Sequence, residues 1–499
     1  MSSGPIKKIV IVGGGVIGWT AAAILARGLK AENIHITLLD IPGLPADDMA
    51  ESSLPGVRPL HQMLGFDERQ LMSITGASFK LGTEYRGNDI SSFIHPLGKL
   101  STTTAAFEQQ VIRLHHAGDA TPYEDFFLAA VAARHGKFAF SEPDKKSILS
   151  TLSCGLHFDT HEYKKYLQDY AHYLQVTTCK VAVGGLELCP ESGFIKSLVL
   201  DDNSKVEGDL FIDCSGELSV LIGDPALAVE YESWAEELPA DQVMNLALPH
   251  TATPTTLLPL TQVQTMPWGW HRIIPLQKRN IHQFIYCSDV LREALLPDAM
   301  QRFGFPSDVS CTSRRIRPGR RAVWWKANCV AVGAAAGNIT SLAVSELQWA
   351  QSALVRLLDY FPDKTCKPCN TAEYNRLSLA EFERLRDFHI AHQHLMHIHS
   401  AFGSLCQQKP IPVSLQHRLE LFRHRGRIAA YEYDVISDAL WAAFFFGLQI
   451  WPERYDVMTD ALTEKELRQQ HQHIKAAIQK TVVAMPSHQQ VLTRYCPAR

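Results

Sequence analysis

The pattern of hydrophobic and polar positions changes near residue 370. Before that point, apolar runs that end in glycine or an acid predict buried strands, and longer apolar stretches between them predict helices. The strand candidates are KKIVIVGGG, NIHITLLD, DLFIDCSG and CVAVGAAAG, and the helix candidate WTAAAILARGL follows the first of them. Strands that alternate with helices predict an α/β fold with a parallel sheet.

Beyond residue 370 the chain shows helical periodicity. LDYFPDKTCKPCN interrupts the sequence, and two later stretches carry apolar residues at helix spacing: TAEYNRLSLAEFERLRDFHIAHQHL and LTEKELRQQHQHIKAAIQKTVVAM. We therefore predict a body over residues 1–370 and a helical C-terminal part over residues 371–499 that packs on it. Two less regular stretches, at about 51–150 and 240–310, are predicted to be insertions in the body.

Composition narrows the class of protein. Of the 499 residues, 46% are hydrophobic and 20% are charged, and the formal net charge is −4. The absence of a basic block argues against a nucleic-acid surface, and no apolar run reaches the ~20 residues of a membrane span. The eleven cysteines lack disulfide-like spacing, and glycines interrupt the N-terminal apolar run, which argues against a signal peptide. We expect a cytoplasmic protein with no nucleic-acid or membrane partner.

A glycine pattern is the first chemical motif. Gly13, Gly15 and Gly18 stand between the first predicted strand and the first helix. At such a turn, backbone N–H groups and the helix dipole face a pyrophosphate. Asp40 ends the next predicted strand, where an acid can bind a ribose hydroxyl. Together these features predict a dinucleotide site.

The spacing of the later strands favours FAD over NAD. NAD domains continue with strands and helices at short intervals, whereas DLFIDCSG and CVAVGAAAG lie far down the chain behind irregular insertions. The glycines at these strand ends, Gly216, Gly333 and Gly337, let the backbone approach a flavin and its ribityl chain. This layout is typical of FAD-dependent monooxygenase-type enzymes.

Several longer stretches resemble the flavin-dependent tryptophan halogenases. They are GGGVIGWTAAAILA, ESSLPGVRPLHQMLGFDERQLMSITGASFKLG, LHFDTHEYKKYLQDYA, RPGRRAVWWKANCVAVG and LQIWPERYDVMTDALTEKEL. The resemblance covers essentially the whole chain. It implies a mixed α/β (α+β) fold with a Rossmann-like FAD-binding body, a substrate-covering insertion and a helical C-terminal part.

The resemblance also implies a reaction. Reduced FAD from a separate flavin reductase, together with O₂, converts chloride or bromide into hypohalous acid. This acid passes through an internal tunnel to a lysine and halogenates an electron-rich aromatic ring. Lys80 matches that lysine, and an amine can either react with hypohalite or hydrogen-bond to it. Whether the protein forms a homodimer is left open.

The resemblance assigns further residues to the site. The backbone N–H groups of Ser345 and Glu346 are the implied halide ligands at the start of a helix. Besides Gly13, Gly15, Gly18 and Asp40, the implied cofactor contacts are Trp19, Ala50, Gly333, Gly337 and Ile339.

Three positions depart from the family pattern. A Trp-x-Trp-x-Ile-Pro motif beside the flavin and the tunnel matches the segment from Trp270 to Pro275, where Arg272 replaces the second Trp and suits an anion or a carboxylate. Ala343 replaces a glutamate that helps to polarise the halogenating species or accepts the ring proton. Phe402 is followed by glycine instead of Trp, which removes a stacking wall of ~200 Å². A larger or carrier-linked aromatic substrate is therefore at least as well supported as free tryptophan.

Two functions stay open at this point. Lys80 favours an FAD-dependent halogenase, or a relative that uses the same oxidant for oxygenation. Ala343 and Arg272 favour a flavin-binding relative that has lost halogenation. No metal is predicted, because Cys366 and Cys369 form a lone CxxC pair and the histidines of residues 389–399 lack a converging third ligand.

Overall fold

The computed structural model describes residues 4–87, 92–102, 106–250, 257–302, 304–305, 311–396 and 399–498. The strands, numbered in chain order, are β1 (Lys8–Val12), β2 (His35–Asp40), β3 (Ala50–Ser52), β4 (Ser78–Lys80), β5 (Gly82–Arg86), β6 (Phe93–Pro96), β7 (Gly155–Asp159), β8 (Thr177–Lys180), β9 (Val183–Leu188), β10 (Ile195–Leu200), β11 (Lys205–Glu207), β12 (Leu210–Asp213), β13 (Tyr231–Ser233), β14 (Gln242–Pro249), β15 (Leu260–Met266), β16 (Gly269–Pro275), β17 (Arg279–Tyr286), β18 (Cys311–Arg315), β19 (Gly319–Arg321), β20 (Trp325–Lys326), β21 (Cys329–Ala331) and β22 (Gly337–Asn338).

The helices are α1 (Val16–Gly28), α2 (Val57–Leu64), α3 (Glu68–Thr75), α4 (Phe107–His116), α5 (Leu128–Arg134), α6 (Thr160–Tyr173), α7 (Leu296–Arg302), α8 (Glu346–Asp359), α9 (Pro368–Leu395), α10 (Ala401–Gln407), α11 (Val413–Arg425), α12 (Asp438–Gly447), α13 (Glu464–Ala484) and α14 (His488–Tyr495).

A six-stranded sheet in the order β20–β21–β12–β1–β2–β8 forms the core of the body. Its strands from β21 to β8 run parallel, and the apolar residues of β1 and β12 are almost completely buried. The four apolar runs in the sequence therefore become neighbouring strands, as predicted for an α/β fold. Helix α1 packs between α6 and α8, and its buried residues include most of its length.

A seven-stranded sheet in the order β18–β14–β17–β16–β15–β5–β6 stands beside this body. All of its neighbours are antiparallel except β15 and β5. The predicted insertion at about 240–310 supplies β14 to β17 and α7. The first predicted insertion supplies β5 and β6, and the small sheet β3–β7–β4 connects this region to the body.

The insertion at about 51–150 is more regular than the sequence pattern predicted. It contains α2 to α5 and most of the strands β3 to β6, in pieces of three to ten residues. Such short elements offer too few residues for a period of 2 or 3.6 to stand out. The start of the second insertion, residues 251–256, lies outside the described residues.

The helical part packs on the seven-stranded sheet. Every described strand ends by residue 338, and α8 to α14 follow. The ring of His392 in α9 hydrogen-bonds the hydroxyl of Tyr85 in β5 at 2.8 Å, and the ring of His95 in β6 hydrogen-bonds the carbonyl of Leu440 in α12 at 3.0 Å. These buried contacts hold the C-terminal helices over the edge of the sheet that follows Lys80.

Candidate functional site

The glycine turn between β1 and α1 has the geometry that a pyrophosphate requires. Gly13 has φ +126°, and a Cβ there would overlap the carbonyl of Cys214 at the end of β12. A Cβ on Gly18 would overlap the carbonyl of Gly13, and Gly15 is the N-cap of α1. Side chains are therefore excluded where the strand ends meet the helix, and the N-terminus of α1 is open to an anion.

A carboxylate of the protein itself lies at this helix terminus. Asp47 accepts hydrogen bonds from the backbone N–H of Val16 at 3.1 and 3.2 Å, and its Oδ2 lies 3.3 Å from Lys164 Nζ. This carboxylate occupies the helix terminus at which the predicted phosphate would bind, and it is stabilised there by the N–H group of Val16. Asp40, the acid predicted from the sequence, ends β2 with its carboxylate against Gly14. Nothing in the sequence pattern had pointed to Asp47.

A cavity extends from this turn along the carboxyl ends of the strands. Its lining residues include Gly15, Asp48, Glu51, Gly216, Arg314, Ala334 and Glu346. At its far wall, Gly333 has φ +66°, and the N–H of Ala334 donates to Glu346 Oε1 at 2.7 Å. Burial raises the pKa of Glu346 to about 7. A cavity between glycine-bearing strand ends is where an open α/β sheet binds a dinucleotide, and the turn would hold the pyrophosphate of FAD.

The remaining predicted cofactor contacts, Trp19, Ala50, Gly337 and Ile339, are not among the residues that line this cavity. Ala50 in β3 and Ile339 beyond β22 are buried, and Gly337 packs against Phe382 of α9. Trp19 is buried edge-on against His172 of α6, with 5.5 Å between the ring centroids. The cofactor roles of these residues stay predictions.

The turn before α8 leaves a set of N–H groups free. Ser341 Oγ accepts hydrogen bonds from the N–H groups of Ala343 and Val344 at 3.3 and 3.2 Å. Ser345 is the N-cap of α8 but makes no side-chain cap. The N–H groups of Ser345 and Glu346 therefore stand at a helix start without an intrahelical acceptor, as a backbone halide site requires.

Lys80 is buried at the end of β4, with 2% of its surface exposed. It shares a face of the small sheet with Ser78 and His157, because residues two apart along a strand point the same way. Ser78 Oγ donates to the carbonyl of Pro275 at 2.6 Å. Burial and the nearby Arg272 guanidinium lower the pKa of Lys80 from 10.5 to about 7. A substantial fraction of Lys80 is therefore a free amine near neutral pH.

A cluster of charges, with Glu51 and Arg272 buried and Asp48 and Arg314 half-buried, adjoins Lys80 and the cavity and was missed by sequence reasoning. Arg314 Nη2 lies 3.2 Å from Asp48 Oδ1, and Asn245 Nδ2 donates to the same oxygen at 3.2 Å. Glu51 is buried in β3, and this desolvation raises its pKa to about 8. Arg272 in β16 is 5% exposed and donates from Nη1 to the carbonyl of Ser341 at 3.3 Å. In the sequence, Asp48, Glu51 and Arg314 look like ordinary surface charges.

The structure brings together two residues predicted for the tunnel and the substrate. Trp270 in β16 and Phe402 in α10 are both fully buried, with their rings edge-on and their centroids 4.8 Å apart. Trp270 shares the face of β16 with Arg272. The two rings contact each other, and Gly403 follows Phe402 where the family pattern has a second aromatic residue. The tunnel and substrate roles of Trp270 and Phe402 stay predictions.

The histidine run belongs to the packing of α9. His389 hydrogen-bonds the Gln393 side chain at 3.1 Å, and His392 Nδ1 hydrogen-bonds the Phe388 carbonyl at 2.7 Å. His397 lies outside the described residues. Among the residues that the structure describes, no group of three or more His, Cys, Asp or Glu side chains could hold a metal ion. Within the same ranges, no helix combines the length and apolar character that crossing a bilayer demands.

Comparison with known proteins identifies the family. The family profile described as "Tryptophan halogenase" matches residues 8–464 of the chain. The chain belongs to the tryptophan halogenase family. The predicted resemblance is thereby confirmed, and with it the FAD-dependent class of enzyme: these halogenases use reduced FAD, O₂ and halide to halogenate aromatic compounds.

Individual relatives agree with this assignment. The chain is 28% identical over 421 residues to the tryptophan 7-halogenase RebH of Lentzea aerocolonigenes. This alignment covers 78% of the chain and 76% of the relative. The fold matches BrvH, a flavin-dependent halogenase from Brevundimonas sp. BAL3, with a TM-score of 0.92, 30% identity and 99% of both chains covered. A flavin-dependent halogenase from Xanthomonas campestris matches with a TM-score of 0.91 and 31% identity, again over 99% of each chain.

Proposed function

We propose that this protein halogenates an electron-rich aromatic substrate and that Lys80 delivers the halogen to the ring. The single observation that carries the proposal is the buried Lys80 amine, whose pKa burial and Arg272 lower to about 7. An amine with a free lone pair at neutral pH can attack the halogen of hypohalous acid, whereas an ordinary ammonium cannot. Bound reduced FAD, delivered by a separate flavin reductase, would supply with O₂ the oxidising equivalents that turn halide into hypohalous acid.

The backbone and side-chain groups of the site then have separate roles. The N–H groups of Ser345 and Glu346 hold the halide at the start of α8. The Lys80 nitrogen attacks hypohalous acid: an N–halogen bond forms, the O–halogen bond breaks, and water leaves with the amine proton. The aromatic carbon next takes the halogen, and the ring proton returns to the Lys80 amine, which is regenerated. Burial of Lys80 keeps bulk water away from the reactive N–halogen bond.

The substrate is proposed to be an aromatic compound other than free tryptophan, either larger or linked to a carrier. Support comes from Phe402, which packs on Trp270 but is followed by Gly403. A glycine offers no stacking surface for an indole at that place. The cytoplasmic location proposed from the cysteine spacing suits a partnership with a soluble flavin reductase.

A second function is favoured by one specific observation. Ala343, 6% exposed, places a methyl group where the family has a glutamate. A protein that binds FAD but has lost halogenation would show this substitution. The two functions differ in one readout, which is halogenated product.

The test is a coupled assay with the full chain, FAD, a flavin reductase, NADH, O₂ and bromide. A panel of free and carrier-linked indoles and phenols is analysed by mass spectrometry for the bromine isotope pair. We expect product with wild type and none with Lys80→Ala, while both proteins bind FAD equally in equilibrium dialysis. Lys465→Ala, at an exposed lysine of α13, is the matched control. Product formation that Lys80→Ala leaves unchanged, or the absence of product with every substrate, contradicts the proposal.

A further inference from the structure

Arg272 is a buried cation with an unused hydrogen-bond donor. It stands in the centre of the seven-stranded sheet, between Val263 of β15 and Gln283 of β17. Its Nη1 donates to the Ser341 carbonyl at 3.3 Å, but its buried Nε has no partner among the described residues. A buried donor without an acceptor is unfavourable, and more so when it is charged. Such a group indicates a ligand that the protein chain does not itself provide.

The charges around Arg272 leave the cluster positive near neutral pH. Burial alone would raise the pKa of Asp48, but the guanidinium groups of Arg314 and Arg272 lower it below its usual value. Burial raises the pKa of Glu51 to about 8 and that of Glu346 to about 7. In the described part of the cluster, the guanidinium groups of Arg272 and Arg314 therefore face one ionised carboxylate, that of Asp48. One further negative charge would make this group of charges neutral.

The position of Arg272 connects the two ends of the proposed reaction. On one side, its guanidinium interacts with the charges of Asp48 and Glu51, which line the cavity between the strand ends. On the other side, its charge acts on Lys80. It also hydrogen-bonds Ser341, which orders the turn before the N-terminus of α8. Arg272 is therefore a neighbour both of the turn that carries the backbone halide site and of Lys80.

We propose that Arg272 Nε forms a second halide site on the route to Lys80, distinct from the N–H groups at the start of α8. A guanidinium is weakly hydrated and suits a weakly hydrated monoanion such as bromide or chloride. The site holds a halide ion beside the turn before α8, from which the ion passes to the backbone site to be oxidised. This inference rests on the proposed function for its purpose, but halide binding itself can be measured without any turnover.

Anomalous diffraction from bromide-soaked crystals of the full chain without FAD tests the site. We expect a bromide peak against Arg272 Nε, separate from any peak at Ser345 and Glu346. Arg272→Gln should lose the first peak and keep the second, and Arg272→Lys should retain a weakened first peak. The absence of a wild-type peak beside Arg272, or its persistence in Arg272→Gln, overturns the inference. Wild-type crystals decide the matter even if both variants fail to fold.

Halide dependence gives a second readout. In the coupled assay, Arg272→Gln should raise the KM for bromide about tenfold because it weakens halide binding, and it should also lower kcat because the guanidinium no longer lowers the pKa of Lys80. An unchanged KM contradicts the inference, whereas a lack of product from wild type contradicts only the proposed function. Density that appears at Arg272 with an aromatic carboxylate but never with bromide assigns the residue to the substrate and also overturns the inference.

The pH dependence of bromide binding follows from the groups that surround the site. Raising the pH through about 7 to 8 ionises Glu346 and Glu51 and removes the charge of Lys80, so each change makes the cluster less positive. We expect bromide affinity to fall at least about tenfold across this range, as measured by chloride-35 line broadening with bromide competition. A constant affinity contradicts the charge argument. The groups that face Arg272 are Asp48, Glu51, Lys80, Tyr85, His157 and Arg314, with Glu346 next to Glu51 and Arg314.

Discussion

Replacing Lys80 by methionine should stabilise the protein while it abolishes catalysis. The lysine is 2% exposed, and burial with the adjacent Arg272 lowers its pKa from 10.5 to about 7. Each pKa unit corresponds to about 1.36 kcal/mol, so this buried amine lowers the free energy of unfolding by at most about 5 kcal/mol. Methionine has a similar length and no charge. Allowing for relaxation of the cluster, we expect Lys80→Met to raise the free energy of unfolding by ~2–4 kcal/mol at neutral pH.

The sign of the pH dependence follows from the lowered pKa. Between pH 10.5 and about 7, the unfolded chain binds a proton at Lys80 that the folded protein does not bind. The destabilisation therefore grows as the pH falls through this range, is complete below about pH 7, and is absent above about pH 10.5. The advantage of Lys80→Met should be largest near pH 6.5, about 2 kcal/mol smaller near pH 8.5, and close to zero near pH 10.5.

Urea unfolding of both proteins at these pH values measures the effect. Lys465→Met is the matched control at an exposed position of α13, and its difference from wild type should not depend on pH. If Lys80→Met is no more stable than wild type near pH 6.5, or if its advantage is the same at every pH, the lowered pKa is wrong. The argument for a free amine at Lys80 would then fail with it.

Two further predictions concern the cofactor and the missing acid. Asp47→Ala should tighten FAD binding about tenfold, because the pyrophosphate no longer has to displace a carboxylate from the N-terminus of α1. Asp67→Ala removes a comparable cap from α3 and is the control. In equilibrium dialysis it should leave the dissociation constant for FAD unchanged. Ala343→Glu should raise bromination of a small indole by up to ~10² if a carboxylate at this place completes the proton transfers. Equal turnover of Ala343→Glu and wild type, measured by mass spectrometry, would show that the glutamate is dispensable here.

Local sequence was sufficient for the parts of the fold that depend on local sterics and periodicity. Gly13 and Gly18 could be assigned to a nucleotide turn because a Cβ at either position would overlap backbone. Four strands of the six-stranded sheet (β1, β2, β12 and β21) and the long helices α9 and α13 carry enough apolar residues in a regular pattern to be recognised. Family resemblance extended this to Lys80, and the family membership is confirmed. The short elements of residues 51–150 were not predicted, because each one has too few residues for a hydrophobic period to be recognised.

The charge state of the site was decided by tertiary structure alone. Asp48, Glu51, Arg272 and Arg314 come from segments that are more than 200 residues apart at their extremes. Only the tertiary structure, with Arg272 in β16 and Arg314 in β18 of the seven-stranded sheet, brings them together near Lys80. Desolvation depends on what surrounds a side chain in three dimensions, not on its neighbours in sequence. The sequence therefore determined that a lysine, a flavin turn and a helix start are present. Their burial together determined that the amine is free near neutral pH and that Arg272 has a donor to offer.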